Sequence, residues 1–97
     1  MPASSDPPAG ETAVVTATLP AGVALHARPA AELVRAAGRL AATVTIEANG
    51  RRANATSILE ILGLGAVGGT ELTIRATGPD AEEAARALAE VIASLGG

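Results

Sequence analysis

His26 and Arg28 are the residues whose types and spacing could do chemistry. His26 is the one histidine of the chain, and it lies where the loop after a predicted strand turns into a predicted helix. The first N–H groups of a helix have no partners within the helix and carry the positive end of its dipole, so they can bind a phosphate. A neutral imidazole at that position has a lone pair free to attack phosphorus. Together these groups would suffice for His26 to accept a phosphoryl group, with the Arg28 guanidinium contacting its oxygens.

Both residues also fit a role without chemistry. His26 could serve only as the first residue of the helix, and Arg28 could be a solvated arginine, which is the ordinary state of surface polar side chains. The spacing of the two residues alone does not decide between these alternatives.

Ser57 is a second candidate because it opens the apolar segment SILEILGLG. Ser57 with Glu60 three positions later predicts a capping box at the start of a short helix. That helix is apolar nearly all round, with the aliphatic residues Ile58, Leu59, Ile61, Leu62 and Leu64. A short helix on a single sheet cannot bury every face, and an exposed aliphatic patch is typical of a docking surface. Partner docking and simple core packing both remain open for these side chains.

The composition excludes several classes of function. The 97 residues include no aromatic residue and the net charge is −3, which argues against nucleic-acid binding through stacking or phosphate contacts. Without cysteine, and with a single histidine, we expect no metal site and no cofactor. A core of alanine and aliphatic residues leaves little room for a pocket, so a metabolite-binding domain is disfavoured.

Location and domain organisation also follow from the sequence. No apolar stretch approaches the roughly 20 residues of a membrane helix, and the N-terminus lacks the basic and apolar regions of a signal peptide. We therefore expect a cytoplasmic protein without membrane insertion. Residues 1–11 contain three prolines and no apolar periodicity, which predicts a disordered tail before one domain at 12–97.

Apolar and polar residues alternate with period two in three segments, around Val15, Ile46 and Ile74. This pattern predicts strands of a sheet with one wet face, and such sheets are usually antiparallel. Asn49-Gly50 fits a type I′ hairpin turn, so residues 51–55 are predicted to form a returning strand.

Helical spacing of apolar residues predicts a helix over about 27–39, a short helix from Ser57 and a C-terminal helix whose apolar stripe reaches Leu95. Pro79 is expected to direct the chain into the last helix and Asp80 to cap it, with Glu83 completing an acidic capping box. The order of elements, βαββαβα, predicts an α+β open-faced sandwich. In this fold a four-stranded antiparallel sheet is covered on one face by three helices.

Three motifs follow one another along the chain: LHARPAAELV at 25–34, SILEILGLGA at 57–66 and TELTIRATGPDAEEAARAL at 70–88. Together they resemble the HPr family, the histidine-containing phosphocarrier proteins of the phosphoenolpyruvate-dependent sugar phosphotransferase system. The resemblance covers residues 12–95, and the motifs in this order are far more specific than any one of them alone.

The resemblance implies that His26 is phosphorylated at Nδ1 by phosphorylated Enzyme I and passes the phosphoryl group to an EIIA protein or domain. It implies that the Arg28 guanidinium attends the phosphoryl group, and that Ser57 is where a dedicated serine kinase adds a regulatory phosphate in some lineages. The apolar docking surface around the histidine corresponds to Ala27, Ile58, Leu59 and Leu62. We expect a monomer that carries phosphoryl groups stoichiometrically and is not an enzyme.

Three positions depart from the family pattern. The family usually has glycine where this chain has Ala24, which would alter the loop but leave the nucleophile intact. A basic residue commonly stands at Thr56, before the serine, and a small residue is common at Glu60. Because the Glu60 carboxylate would repel a phosphate on Ser57, these changes argue against serine phosphorylation.

An alternative function is a regulatory module of the same fold that docks partners without phosphoryl transfer. Such a module would have no need of His26, Arg28 and Pro29 together, so their presence favours the phosphoryl carrier.

Overall fold

The computed structural model describes residues 11–95, and its four strands form one antiparallel sheet. The strands are β1 (Thr12–Thr18), β2 (Thr43–Ala48), β3 (Arg51–Asn54) and β4 (Glu71–Thr77), arranged in the order β1-β4-β2-β3. β4 pairs with β1 and β2, and β2 pairs with β3. The period-two pattern is confirmed, because Ile46 and Ile74 are buried while their neighbours along each strand are half-buried or exposed.

Three helices complete the described part of the chain: α1 (Ala27–Gly38), α2 (Ile58–Leu62) and α3 (Ala81–Ala93). α3 packs against β1, β4 and β2, while α1 packs against α3 and α2. The side chains that α1 buries are Ala30, Leu33 and Ala37, and Val34 is half-buried at the edge of the same stripe. The helices thus share one face of the sheet, which confirms the predicted open-faced sandwich.

Small side chains let these layers approach closely. Alanine makes up half of the buried hydrophobic residues, and Ala81, Ala84 and Ala85 line the buried face of α3. Leu88 and Ile92 continue that face with larger side chains. Within residues 11–95 no polar or charged side chain is buried. Every described side chain with acid–base or nucleophilic chemistry is therefore at least partly open to solvent.

The turn between β2 and β3 has the predicted geometry. Asn49 and Gly50 have φ angles of 55° and 75°, the positive values that a type I′ turn requires. Ala48 pairs with Arg51 across the turn, so the register of the hairpin follows directly from the two-residue loop.

The predicted cap of α3 is wrong. Asp80 is the N-cap residue, but its side chain makes no capping hydrogen bond, and Glu83 therefore has no capping box to complete. The reason is the backbone: Asp80 has φ 56° and ψ 37°, whereas a capping side chain needs the extended conformation to reach the N–H groups of the first turn. Only the Asp80 carbonyl oxygen serves the helix, accepting from the Ala84 N–H at 2.9 Å.

The predicted capping box of α2 is half present. Ser57 Oγ accepts from the Glu60 N–H at 3.3 Å, as expected of an N-cap serine. The Glu60 carboxylate does not reach back to the Ser57 N–H, because that group already donates to the Asn54 carbonyl oxygen. Glu60 Oε1 instead accepts from the Asn54 N–H at 2.7 Å and closes the turn between β3 and α2.

Most of the predicted disordered tail lies outside the described residues. Glu11 is described, and its carbonyl oxygen accepts from the Gly78 N–H at 2.9 Å, just before β1 begins. The described helices include none that is long and apolar enough to cross a membrane.

Candidate functional site

His26 is the N-cap residue of α1, and its imidazole takes no part in capping the helix. Its backbone is extended, with φ −86° and ψ −172°. The His26 N–H donates to the Ala24 carbonyl oxygen at 2.8 Å, and the His26 carbonyl oxygen accepts from the Ala30 N–H at 2.9 Å. The main chain is therefore held on both sides of the residue, while the exposed ring remains available for chemistry.

The first turn of α1 offers groups suited to an anion. Pro29 has no N–H, and the Ala30 N–H is already bonded to His26, so the N–H groups of Ala27 and Arg28 are those without an intrahelical acceptor. The turn contains no acidic residue. Arg28 is exposed and forms no ion pair within residues 11–95. Two backbone donors and one uncommitted guanidinium thus accompany the imidazole at the same helix end.

The loop before His26 is fixed against the segment that follows α2. The Leu25 N–H donates to the Ala66 carbonyl oxygen at 3.1 Å, and the Leu25 side chain is buried. At the other end of the loop, Leu19 exchanges backbone hydrogen bonds with Thr70 and Gly69. The α2–β4 connection, residues 63–70, therefore supports the chain on its way from β1 to His26.

The predicted docking residues of α2 lie on its outer side. The side chains of Ile58, Leu59 and Leu62 are 38%, 78% and 36% exposed, and we call these three residues the apolar patch. Ile61 and Leu64 are buried, so the apolar segment divides between the core and the surface. Because α2 packs against α1, the apolar patch lies on the element next to the helix that His26 begins. Ala27, the fourth predicted docking residue, is also exposed.

Sequence reasoning missed Val67, which is 55% exposed. It follows directly after Ala66, whose carbonyl oxygen is bonded to Leu25, so it lies on the connection that supports the loop before His26. A single valine between Ala66 and Gly68 gives no periodic signal, which is why the pattern did not single it out.

Ser57 is half-buried at the start of α2, and the Glu60 carboxylate lies in the same turn. Its Oγ accepts from the Glu60 N–H, and the Glu60 carboxylate accepts from the Asn54 N–H. Thr56 also closes on this turn, since its N–H and its hydroxyl both donate to Asn54 Oδ1, at 2.9 and 2.8 Å. The turn therefore brings together Ser57 and the two residues that depart from the family pattern.

An exposed imidazole begins α1 beside an arginine, and α1 packs against the helix that carries the apolar patch, an arrangement suited to a small carrier or docking domain. The family model for the PTS HPr component phosphorylation site matches residues 12–94, and the chain belongs to the HPr family.

Known members of the family resemble the chain over most of its length. The phosphocarrier protein HPr of Vibrio cholerae is 42% identical over 71 residues, which are 73% of this chain and 84% of that protein. Among solved structures, HPr from Bacillus anthracis superposes with a TM-score of 0.78 at 38% identity, covering 84% of this chain and 96% of that one. An HPr dimer from Thermoanaerobacter tengcongensis has a TM-score of 0.64 at 37% identity, covering 80% of this chain and 90% of that one.

Proposed function

We propose that the protein is a phosphoryl carrier of the sugar phosphotransferase system. His26 accepts a phosphoryl group from phosphorylated Enzyme I and passes it to an EIIA protein or domain. The observation that carries this proposal is the position of His26, an exposed N-cap residue whose ring the helix does not use. Membership of the HPr family gives the class of reaction, and the two partners are inferred from that class.

The residues at the start of α1 have separate tasks in this reaction. A lone pair on Nδ1 of His26 attacks phosphorus, and a P–N bond forms as the bond from phosphorus to Enzyme I breaks. The Arg28 guanidinium and the N–H groups of Ala27 and Arg28 bind the phosphoryl oxygens, whose negative charge the start of the helix stabilises. The second transfer runs the same step in reverse toward EIIA. The protein is thus an intermediate in the relay and not a catalyst.

The apolar patch and Ala27 form the docking surface for both partners in this proposal. A carrier must release each partner before it meets the next, which suits a modest apolar contact better than an extensive one. A partner that covers the exposed aliphatic side chains of the neighbouring helix would also desolvate the reacting group, which strengthens the polar contacts to the phosphoryl group.

Ser57 serves as a cap of α2 in this proposal, and it is not a substrate for a serine kinase. Its hydroxyl oxygen is already the acceptor for the Glu60 N–H, and a phosphate there would meet the Glu60 carboxylate in the same turn. An attempt to label the His26→Ala variant with a serine kinase active on other HPr proteins tests this directly, since a phosphate bound through Ser57 would contradict it.

The carrier is expected to act as a cytoplasmic monomer. One similar structure is described as an HPr dimer, and the mass in solution distinguishes the two states. Light scattering at the outlet of a size-exclusion column should give the mass of one chain, and twice that mass would contradict the proposal.

Incubation with phosphoenolpyruvate and Enzyme I, followed by intact-mass measurement, tests the central step. We expect a gain of one phosphate that is lost in acid and stable in base, the behaviour of phosphohistidine. Addition of an EIIA protein should then discharge the carrier. Binding of the partners without any phosphate gain would instead favour the regulatory module, which the exposed apolar patch also fits.

A further inference from the structure

Four consecutive carbonyl groups after α2 accept hydrogen bonds from distant parts of the chain. Three of these bonds come from side chains of the β2–β3 hairpin, and the fourth comes from a backbone N–H of the loop before α1. The Gly63 oxygen accepts from Arg51 Nη1 at 3.3 Å, and the Leu64 and Gly65 oxygens accept from Asn49 Nδ2 at 3.0 and 3.4 Å. The Ala66 oxygen accepts from the Leu25 N–H. Residues 63–66 lie outside the helices and strands, so no regular secondary structure bonds these carbonyls and the segment depends on its neighbours for its position.

Asn49 makes the more secure of the two side-chain contacts from the β2–β3 hairpin. Its bond to the Leu64 oxygen is partly buried, whereas the bond from Arg51 is exposed and longer. The side chain of Asn49 is also shorter than that of Arg51, so it loses less conformational entropy when it is held in place. The hairpin therefore holds residues 63–66 chiefly through Asn49.

The contacts continue from this segment to the residue that precedes the histidine. Asn49 donates to the carbonyl oxygens of Leu64 and Gly65. The next carbonyl oxygen along the chain, that of Ala66, accepts from the Leu25 N–H, and Leu25 directly precedes His26. Gly65 has a φ of 65°, so the segment turns sharply between these contacts. The segment also begins at the end of α2, which carries the apolar patch.

We propose that Asn49 is a positioning residue for the carrier reaction. By holding residues 63–66 it fixes the apolar patch and the backbone before His26 in one arrangement, so that a docked partner finds the imidazole at the distance that transfer requires. This inference rests on the proposed function and adds to it a residue on the hairpin, outside the first turn of α1.

Asn49 also forms part of the β2–β3 turn, and this structural role can be separated from its role in positioning residues 63–66. Asn49→Gly keeps the turn, because glycine adopts a positive φ more readily than asparagine, but it removes the donor to Leu64 and Gly65. Asp80→Gly is the matched control. Asp80 is the other non-glycine residue with a positive φ in residues 11–95, and its side chain makes no capping bond. A second variant, Asn49→Asp, keeps the size of the side chain and replaces the donor with an oxygen that repels the two carbonyls.

Two measurements test the proposal: amide hydrogen exchange at Leu25, followed by NMR, and the kinetics of phosphorylation by Enzyme I. In both Asn49 variants we expect Leu25 exchange to rise by at least about fivefold, since its acceptor is no longer held in place. With the carrier as the substrate of Enzyme I, we expect kcat to fall by at least about threefold. The KM for the carrier should change less than about twofold, because the side chains of the apolar patch are intact. Asp80→Gly should change neither Leu25 exchange nor kcat.

The amide of Ala30 is the internal reference, since it donates to His26 within the start of α1 and should exchange alike in all variants. Leu25 exchange and kcat in both Asn49 variants equal to those of Asp80→Gly would overturn the positioning role. Failure of the unmodified protein to accept phosphate would instead overturn the proposed function, and Leu25 exchange would still report whether Asn49 holds the segment.

Discussion

The backbone nitrogen of Gly22 lies in the space that a side chain at Gly68 would need. A Cβ at position 68 would be 2.6 Å from that nitrogen and 2.9 Å from the Pro20 carbonyl oxygen. Both of these atoms belong to backbone that cannot move without shifting the loop that leads to His26. The absence of a side chain at Gly68 thus allows the α2–β4 connection to support this loop at close range.

Gly68→Ala should therefore destabilise the fold and disturb the site. We expect the free energy of unfolding to fall by about 2 kcal/mol, the usual cost of inserting a methyl group into a filled space. The phosphorylation rate should fall with it, because the displaced loop ends at His26. Thermal melting and transfer from Enzyme I measure the two effects.

Gly38→Ala is the matched control for this substitution. A Cβ there would meet nothing within 4 Å, and Gly38 is the last residue of α1. Since alanine favours a helix over glycine, the variant should be more stable by up to about 1 kcal/mol and should transfer phosphate normally. Equal melting temperatures for Gly68→Ala and the unmodified protein would contradict the close-packing argument.

The sheet and its hairpin could be predicted from the sequence because their signals are local. Alternation around Ile46 and Ile74 reflects one buried face, and Asn49-Gly50 fits a turn that needs positive φ at both positions. The position of His26 could be predicted for the same reason, since Pro29 is tolerated in the first turn of a helix and marks its start.

Features that depend on distant or preceding backbone could not be predicted. The left-handed backbone of Asp80 removes the expected cap, although the residue type is ideal for capping. The Glu60 carboxylate accepts from the Asn54 N–H and not from the Ser57 N–H, because the Ser57 N–H already donates to the Asn54 carbonyl oxygen. The approach of Gly68 to Gly22 joins residues far apart in the chain, and a single sequence carries no sign of such a contact.

His26→Ala should abolish phosphate acceptance and leave the fold intact. The imidazole is exposed and makes no capping hydrogen bond, so its removal should cost less than about 1 kcal/mol of stability. Intact mass after incubation with Enzyme I and phosphoenolpyruvate should show no added phosphate, while the melting curve stays close to that of the unmodified protein. A phosphate gain in this variant would assign the acceptor to another residue.

Arg28→Ala should slow transfer to and from the carrier without unfolding it. The guanidinium is exposed and free of ion pairs in the described part of the chain, so its loss removes a charge-assisted contact to the phosphoryl oxygens and little packing. We expect kcat/KM to fall by at least about tenfold, which corresponds to a charge-assisted hydrogen bond of about 1.5 kcal/mol.

Arg35→Ala tests whether this effect is local or comes from net charge alone. Arg35 is exposed in the last turn of the same helix, away from its N-terminus. Its loss changes the net charge by the same amount as the loss of Arg28 but removes no group from the start of α1. We therefore expect Arg35→Ala to reduce the rate of transfer far less than Arg28→Ala. Equal losses from the two variants would make Arg28 an ordinary surface arginine.

Leu59→Glu should weaken docking while the protein stays folded. Leu59 is 78% exposed on α2, so a carboxylate there is solvated in the free carrier and becomes desolvated only when a partner covers the apolar patch. We expect binding to Enzyme I and to EIIA to weaken by at least about 1 to 2 kcal/mol, with a normal thermal melt. Leu62→Glu should act in the same direction but more weakly on binding and with some loss of stability, because Leu62 is only 36% exposed.

Ile61→Glu on the same helix is the contrasting variant for this last prediction. Ile61 is fully buried, so the substitution places an unpaired carboxylate in the core and should cost several kcal/mol, enough to unfold a domain of this size. A normal melt with poor binding for Leu59→Glu, beside a collapsed melt for Ile61→Glu, would assign the outer side of α2 to docking and its inner side to the core. Undiminished binding and transfer by Leu59→Glu would remove Leu59 from the docking surface, since a charge at an apolar contact cannot be neutral to association.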